Sequence, residues 1–461
     1  MSTSTSTQTP IAPFKESIPY PKEQIIHSFS KFVNAGYGIK AYNSESALQA
    51  YVAKIVGLCM NDTTITNCVG SDWTLAWGPI VFSNTPDANS VVVDNAMMMV
   101  YSPLNNLIIV AIAGTNIDSS YGWLTEDFNG ATTVSWQSVV GNNVSVPSGA
   151  SISAGTNDGL EKLLSMQDSN GYTLITALSN LLAESGTGTG LELAVCGHSL
   201  GGALSPAMAL YLSNIQSDSS LNWNTSKKVT TISAWPTAGP TPGNADFATY
   251  LPTIVSYTSR YNTLDVVPQG WMQTSLSTVP TLYDSYITPV KGGTPQDVTL
   301  GILATGAILR SYNVTMGSVL PVVTNNDYQQ AQPWTPITGS FDFTTDFKYS
   351  IGVQYILGQL NLSTGMAQYE NYFTNVARFI VQMGYQHTIA YDSMLGIPTV
   401  AGEYTSILNN NNPDGQTLDE MHHEAAVKAI GLGPQMKNLD FGKIAQAVRE
   451  NAATHTEAVT V

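Results

Sequence analysis

The chain has 461 residues, 43% of them hydrophobic and only 11% charged, where ordinary soluble domains carry about 25% charged residues. That composition excludes disorder over most of the length and supplies apolar material for a large core. The net charge of −16 repels nucleic-acid phosphates and anionic lipid alike, so no nucleic-acid partner is expected and any lipid contact has to be apolar and local.

Met1 to Pro10 is mostly Ser and Thr and lacks the apolar stretch of a secretory signal. The expected location is cytoplasmic, or outside by a non-classical route. No run reaches the ~18 apolar residues of a membrane span. Residues 1–20 read as a disordered tail. Ile25 to Met60 has helical spacing of apolar residues, broken around Gly36 and Gly38. Cys59, Cys68 and Cys196 are too few for a disulfide framework; a Cys59–Cys68 bridge is weighed against reduced core cysteines, which are preferred.

Ala96–Tyr101 and Leu107–Ala113 are apolar runs joined by a short polar turn, the pattern of two buried, hairpin-linked strands. Helices are expected over Asp158–Met166 and Thr173–Glu184. Gly186–Gly190 alternates Gly and Thr, but it precedes a strand, whereas a phosphate loop follows one, so it reads as a linker. Leu191–Cys196 is a strand, Leu200–Asn214 a helix, and Val229–Ala234 and Thr253–Tyr257 are further strands. This alternation predicts an α/β fold with a mostly parallel central sheet. Residues 270–345, rich in Thr, Pro, Gly and Asn, read as an insertion packed on that sheet. Residues 401–461, with helices near Leu418–Ile430 and Phe441–Asn451, read as a C-terminal helical appendage to a domain over 21–400.

Gly197-His198-Ser199-Leu200-Gly201 fits G-x-S-x-G between a predicted strand and a predicted helix, the context that motif requires. The sharp turn exposes the serine hydroxyl, and side chains at the glycine positions would strike the neighbouring strand and helix. The following helix aims its N-terminal N–H groups at the site, so the N–H of Leu200 is placed to stabilise an oxyanion.

Gly197 to Ala203 resembles the nucleophile elbow of the class 3 lipases, the fungal-type triacylglycerol lipases of the α/β-hydrolase superfamily. Four further segments agree in order: Ile108 to Thr115, Ser233 to Asn244, Asn262-Thr-Leu-Asp265-Val-Val-Pro268 and Gln386-His387-Thr-Ile-Ala-Tyr391. Together they span roughly residues 95–396. The family's arginine before Gly-Thr is Ala113 here, and its Val-His-x-Gly-Phe survives only as Ile152 to Thr156.

A serine needs a base, and the base needs a carboxylate to hold its tautomer. In α/β-hydrolases the chain order is Ser, Asp, His. Of the histidines after Ser199, His422 and His423 sit in a charged helical stretch without the second histidine of a zinc-protease motif, and His455 is in the tail. His387 is therefore the expected base and no metal is expected. Asp265 follows a strand and precedes Val-Val-Pro; Asp246, its competitor, reads as part of a helix start. The resemblance sets Thr115 opposite Leu200 as the second oxyanion donor. It also implies a lid over Asn116–Phe128, with Tyr121, Trp123, Leu124 and Phe128 as an apolar face; His198 joins these as a substrate-side candidate. Core packing is the ordinary alternative for such aromatics.

The sequence thus predicts a serine carboxylic-ester hydrolase needing no cofactor. By resemblance it is a lipase acting on acylglycerols, with an ester or lipid partner met in solution or at a lipid–water interface. The rivals are a phospholipase A1, a short-chain or feruloyl-type carboxylesterase, and a non-catalytic lipid-binding protein on the same fold. Oligomeric state is not legible.

Overall fold

The computed structural model describes residues 8–84, 89–116, 132–272, 275, 282–283, 327–341, 382–418 and 420. The strands, in chain order, are β1 (Thr74–Phe82), β2 (Asn95–Ser102), β3 (Leu107–Ile112), β4 (Thr133–Ser135), β5 (Ser151–Ser153), β6 (Leu191–His198), β7 (Val229–Thr237), β8 (Ser256–Tyr257), β9 (Ser259–Asn262) and β10 (Trp334–Ile337). Among the described residues the main sheet runs β1-β2-β3-β6-β7-β9-β10, with β8 also on β7, and β4 pairs β5 separately. The first three strands are antiparallel; β3, β6, β7, β9 and β10 are mutually parallel. This is an α/β-hydrolase sheet, mostly parallel, with an antiparallel margin.

Every residue of β2 and β3 is buried, as strands covered on both faces must be. Alternate residues point to opposite cores. Ile108, Val110 and Ile112 join Leu193 and Val195 on one face, while Ile109 and Ala111 join Ala194 and Cys196 on the other. Helices α1 (Lys22–Phe32), α2 (Glu45–Asn61) and α3 (Thr63–Val69) cover the second face. Helices α4 (Trp136–Val140), α5 (Ala154–Ser165), α6 (Leu174–Ala183), α7 (Leu200–Asn214) and α8 (Ala245–Ile254) cover the first. The chain then returns to the second face with α9 (Ala390–Met394) and α10 (Pro398–Asn411).

Several expectations change. The described part of the expected tail, residues 8–20, is fixed to the body. Ile11 pairs in parallel with Ile337 at β10, the N–H of Phe14 donates to the carbonyl of Met394, and Tyr20 is buried. The boundary at 400/401 cuts through α10, whose Val400, Tyr404 and Leu408 are each no more than 3% exposed. Burying such side chains contributes about 2 kcal/mol apiece, so this helix belongs to the core; the expected helices beyond it lie outside the described residues. Thr253 and Ile254 end α8, whose N-cap Asn244 accepts from the Phe247 N–H, instead of opening a strand. Within the expected insertion, Trp334–Ile337 is a strand of the main sheet itself. All three cysteines are free and buried. Among the described residues no helix is long and apolar enough to cross a membrane.

Candidate active site

The elbow is where β6 turns into α7. Ser199 takes φ 60° and ψ −123°, a region that non-glycine residues enter only under constraint. Its N–H donates to the carbonyl of Thr237 on β7 at 3.1 Å, which pins the turn. Glycine is required on both sides. A Cβ on Gly197 would lie 2.2 Å from the carbonyl oxygen of Gly201, and one on Gly201 would lie 2.3 Å from that of Ile112. The helix therefore begins almost in contact with the end of β3. Leu200 is its first residue, so its N–H has no acceptor within the helix. Gly114 abuts the elbow from the other side. A Cβ there would lie 3.2 Å from that of Ser199, and the Gly114 N–H donates to Asn34 Oδ1 at 2.9 Å. Thr115 is the next residue, partly buried.

His387 Nε2 lies 2.8 Å from Ser199 Oγ, and its Nδ1 lies 2.9 Å from Asp265 Oδ2 and 3.1 Å from Oδ1. A carboxylate only accepts, so the proton is on Nδ1 and Nε2 is left to accept from the serine hydroxyl. Asp265 is fully buried. It also accepts from the Val267 N–H at 3.0 Å and the Tyr391 O–H at 2.8 Å. These donors satisfy the charge in place of water. Burial and the charge of Asp265 push the Tyr391 phenol well above its usual pKa, so it stays a donor.

The Asp265 and His387 segments are joined through Asn262. Its Nδ2 donates to the Gln386 carbonyl at 2.9 Å, and its N–H donates to Tyr391 Oη at 2.9 Å. Leu282 and Tyr283, from the expected insertion, pack with Leu264, Val266, Phe341 and Met383 over the Asp265 loop. The Tyr283 O–H donates to the Leu264 carbonyl at 2.7 Å.

Ser199, His387 and Asp265 are thus brought together; Leu200 follows the serine, and Thr115 follows Gly114, which abuts it. Asp246 is in the first turn of α8, away from this chain of hydrogen bonds. The His198 ring packs against those of His387 and Tyr391 at 4.9 and 5.0 Å. Tyr121, Trp123, Leu124 and Phe128, with the rest of the expected lid after Asn116, lie outside the described residues, as do His422, His423 and His455. Sequence reasoning missed Asn34, Asn262, Gln386 and Tyr391 as supports. The last three stand inside the quoted segments, so position beside the expected acid and base was the available signal; nothing local marks Asn34.

Residues 109–274 match the sequence profile of the class 3 lipases. That span holds Thr115, Ser199, Leu200 and Asp265 but not His387. No curated protein matches the chain. Among solved structures, it is similar to M37 lipase with a TM-score of 0.55 and 23% identity, covering 85% of this chain and 99% of that one. Lipase II from Rhizopus niveus gives 0.35 and 19%, covering 56% of this chain and 79% of that one. The Rhizomucor miehei lipase propeptide complex gives 0.35 and 16%, covering 55% and 64%.

Proposed function

With residues 109–274 belonging to the class 3 lipase family, the chain is a carboxylic-ester hydrolase, and we propose that it cleaves acylglycerols through Ser199, His387 and Asp265. The observation that carries the assignment of residues is the hydrogen-bonded run from Ser199 Oγ to His387 to Asp265, at 2.8 and 2.9 Å, on a strained elbow.

In this reading His387 Nε2 takes the serine proton as Oγ attacks the ester carbonyl. The N–H groups of Leu200 and Thr115 hold the oxyanion; one such donor is worth about 3 kcal/mol in the transition state. Buried Asp265 stabilises the imidazolium. The imidazolium then protonates the departing alcohol, and water repeats the sequence on the acyl-enzyme. The surface charge of −16 leaves lipid contact to an apolar patch, and the stretch after Asn116 is the proposed cover.

A fluorophosphonate probe should label the wild type at Ser199, and Ser199→Ala should abolish ester hydrolysis with the melting temperature preserved. Retained turnover in that variant refutes the assignment; an unlabelled wild type supports the non-catalytic lipid binder instead. A panel of p-nitrophenyl esters, triacylglycerols and phospholipids, with and without emulsion, sorts the substrate class. A preference for short acyl chains in solution selects the carboxylesterase, and headgroup-dependent sn-1 cleavage selects the phospholipase A1.

A further inference from the structure

The elbow histidine has a place in the hydrogen-bond pattern that the chemistry above does not use. His198 Nε2 lies 2.6 Å from the carbonyl oxygen of His387, and Nδ1 lies 3.2 Å from Thr237 Oγ1. A carbonyl only accepts, so the ring carries its proton on Nε2, and Nδ1 accepts from the threonine hydroxyl. Thr237 is also the residue whose carbonyl holds the Ser199 N–H.

We propose that His198 is a positioning residue for the base: its Nε2–H, donated to the His387 carbonyl, fixes the distance between the backbone of the nucleophile and that of the base. The proposal rests on the reading that Ser199 and His387 perform the chemistry. Two links then join the same pair of segments. One runs from the Ser199 side chain to the His387 side chain, and the other from the adjacent His198 side chain to the His387 main chain. The first is broken and remade each time the proton moves. The second persists and returns the imidazole to the same place. Ring packing at 4.9 Å adds a steric stop to rotation of His387.

For this role the ring has to remain neutral beside a base that becomes cationic. Its burial, then the neighbouring charge of His387, with Lys31 and His27 adding to it, hold His198 well below the usual histidine pKa. The Tyr391 ring on its other side is held as the neutral phenol.

Three variants of the full chain test this, read by kcat and KM on a soluble ester, by the rate of fluorophosphonate labelling and by the downfield proton signal of the His387–Asp265 hydrogen bond. His198→Leu removes the donor at similar volume. It should lower kcat about 100-fold, the cost of a base misplaced by about 1 Å, with KM within about twofold, slower labelling and a broadened signal. His198→Gln returns an N–H at the same reach and should stay within about tenfold of wild type. Equal losses in the two variants, or wild-type kcat in His198→Leu, overturn the proposal. Should His198→Leu not fold, Thr237→Val decides: it removes the hydroxyl that faces Nδ1, together with its 3.3 Å contact to the Gly197 carbonyl, and should cost about fivefold in kcat at constant KM, and an unchanged kcat overturns the proposal. Failure of the underlying reading looks different, because the wild type itself is then unlabelled and Ser199→Ala is silent.

Discussion

At the nucleophile end, Leu191–Asn214 supplies strand, turn and helix from one contiguous stretch, and its close contacts are backbone against backbone, as at Gly201 and Ile112. At the base end, Asp265 and His387 stand 122 residues apart, and side chains hold them together: Asn262 to Gln386, Tyr391 to Asp265, His198 to the His387 carbonyl. Backbone contacts cannot relax, so the elbow is all or nothing. A side-chain network loses members one at a time, so the base end should fail by degrees, in activity before fold.

Gly201→Ala tests the first half of that contrast. Its Cβ would lie 2.3 Å from the Ile112 carbonyl oxygen and 2.8 Å from that of Ala113, and neither backbone atom can give way. Overpacking of this kind costs about 3 kcal/mol or more. Soluble yield and denaturation midpoint should fall together with activity. A stable, inactive Gly201→Ala would show that the elbow too can fail in chemistry alone.

Asp265→Asn tests the second half. With its amide oxygen in place of Oδ1 the side chain still accepts from the Val267 N–H, and its NH2 in place of Oδ2 can donate to Tyr391 Oη, so the fold should survive. The His387 tautomer is no longer fixed, and kcat should fall about 10⁴-fold. Thermal melting and steady-state kinetics on the same sample separate the two quantities. Tyr391→Phe is the graded case. It removes one of three donors to Asp265 and leaves the buried Asn262 N–H without its acceptor, which costs about 1–3 kcal/mol of stability. The kcat should fall about tenfold, less than for Asp265→Asn, because the carboxylate and its imidazole partner remain.

The same contrast governs what the sequence makes legible. The elbow was readable because strand, G-x-S-x-G and helix are local, and the Leu200–Asn214 helix falls where its apolar spacing puts it. Asp265 and His387 were readable only through their order after Ser199 and the resemblance of their segments. Their supports were not, since a hydrogen bond between Asn262 and Gln386 leaves no mark in either neighbourhood. For the same reason β10 was lost in a polar stretch: its pairing with β9 is fixed by a partner more than 70 residues earlier. The 8–20 segment reads as disordered because it follows the repetitive Ser/Thr run of residues 2–7 and its few apolar residues show no period. Its contacts with Ile337 and Met394 are made by a few apolar residues against elements at the far end of the chain.

The smallest expected effect lies where α1 meets β9, outside both ends of the site. Glu23 is ion-paired with Arg260 at 3.0 Å and faces His27 at 3.8 Å. Burial alone would raise its pKa, but the nearby His27 and the charge of Arg260 outweigh it and hold the carboxyl below its ordinary value. A depressed native pKa means that the unfolded chain takes up the proton first, so stability is present above the unfolded value and lost as pH falls through the native one. Glu23→Gln should therefore melt below wild type by a constant margin at pH 6–8. That margin should close as the pH drops below the ordinary glutamate value of about 4.5. Activity per folded molecule should be unchanged, because neither partner touches Ser199, His387 or Asp265. A margin independent of pH down to acid denaturation would show that Glu23 acts by packing, and a fall in kcat would show that the network behind the base extends into α1.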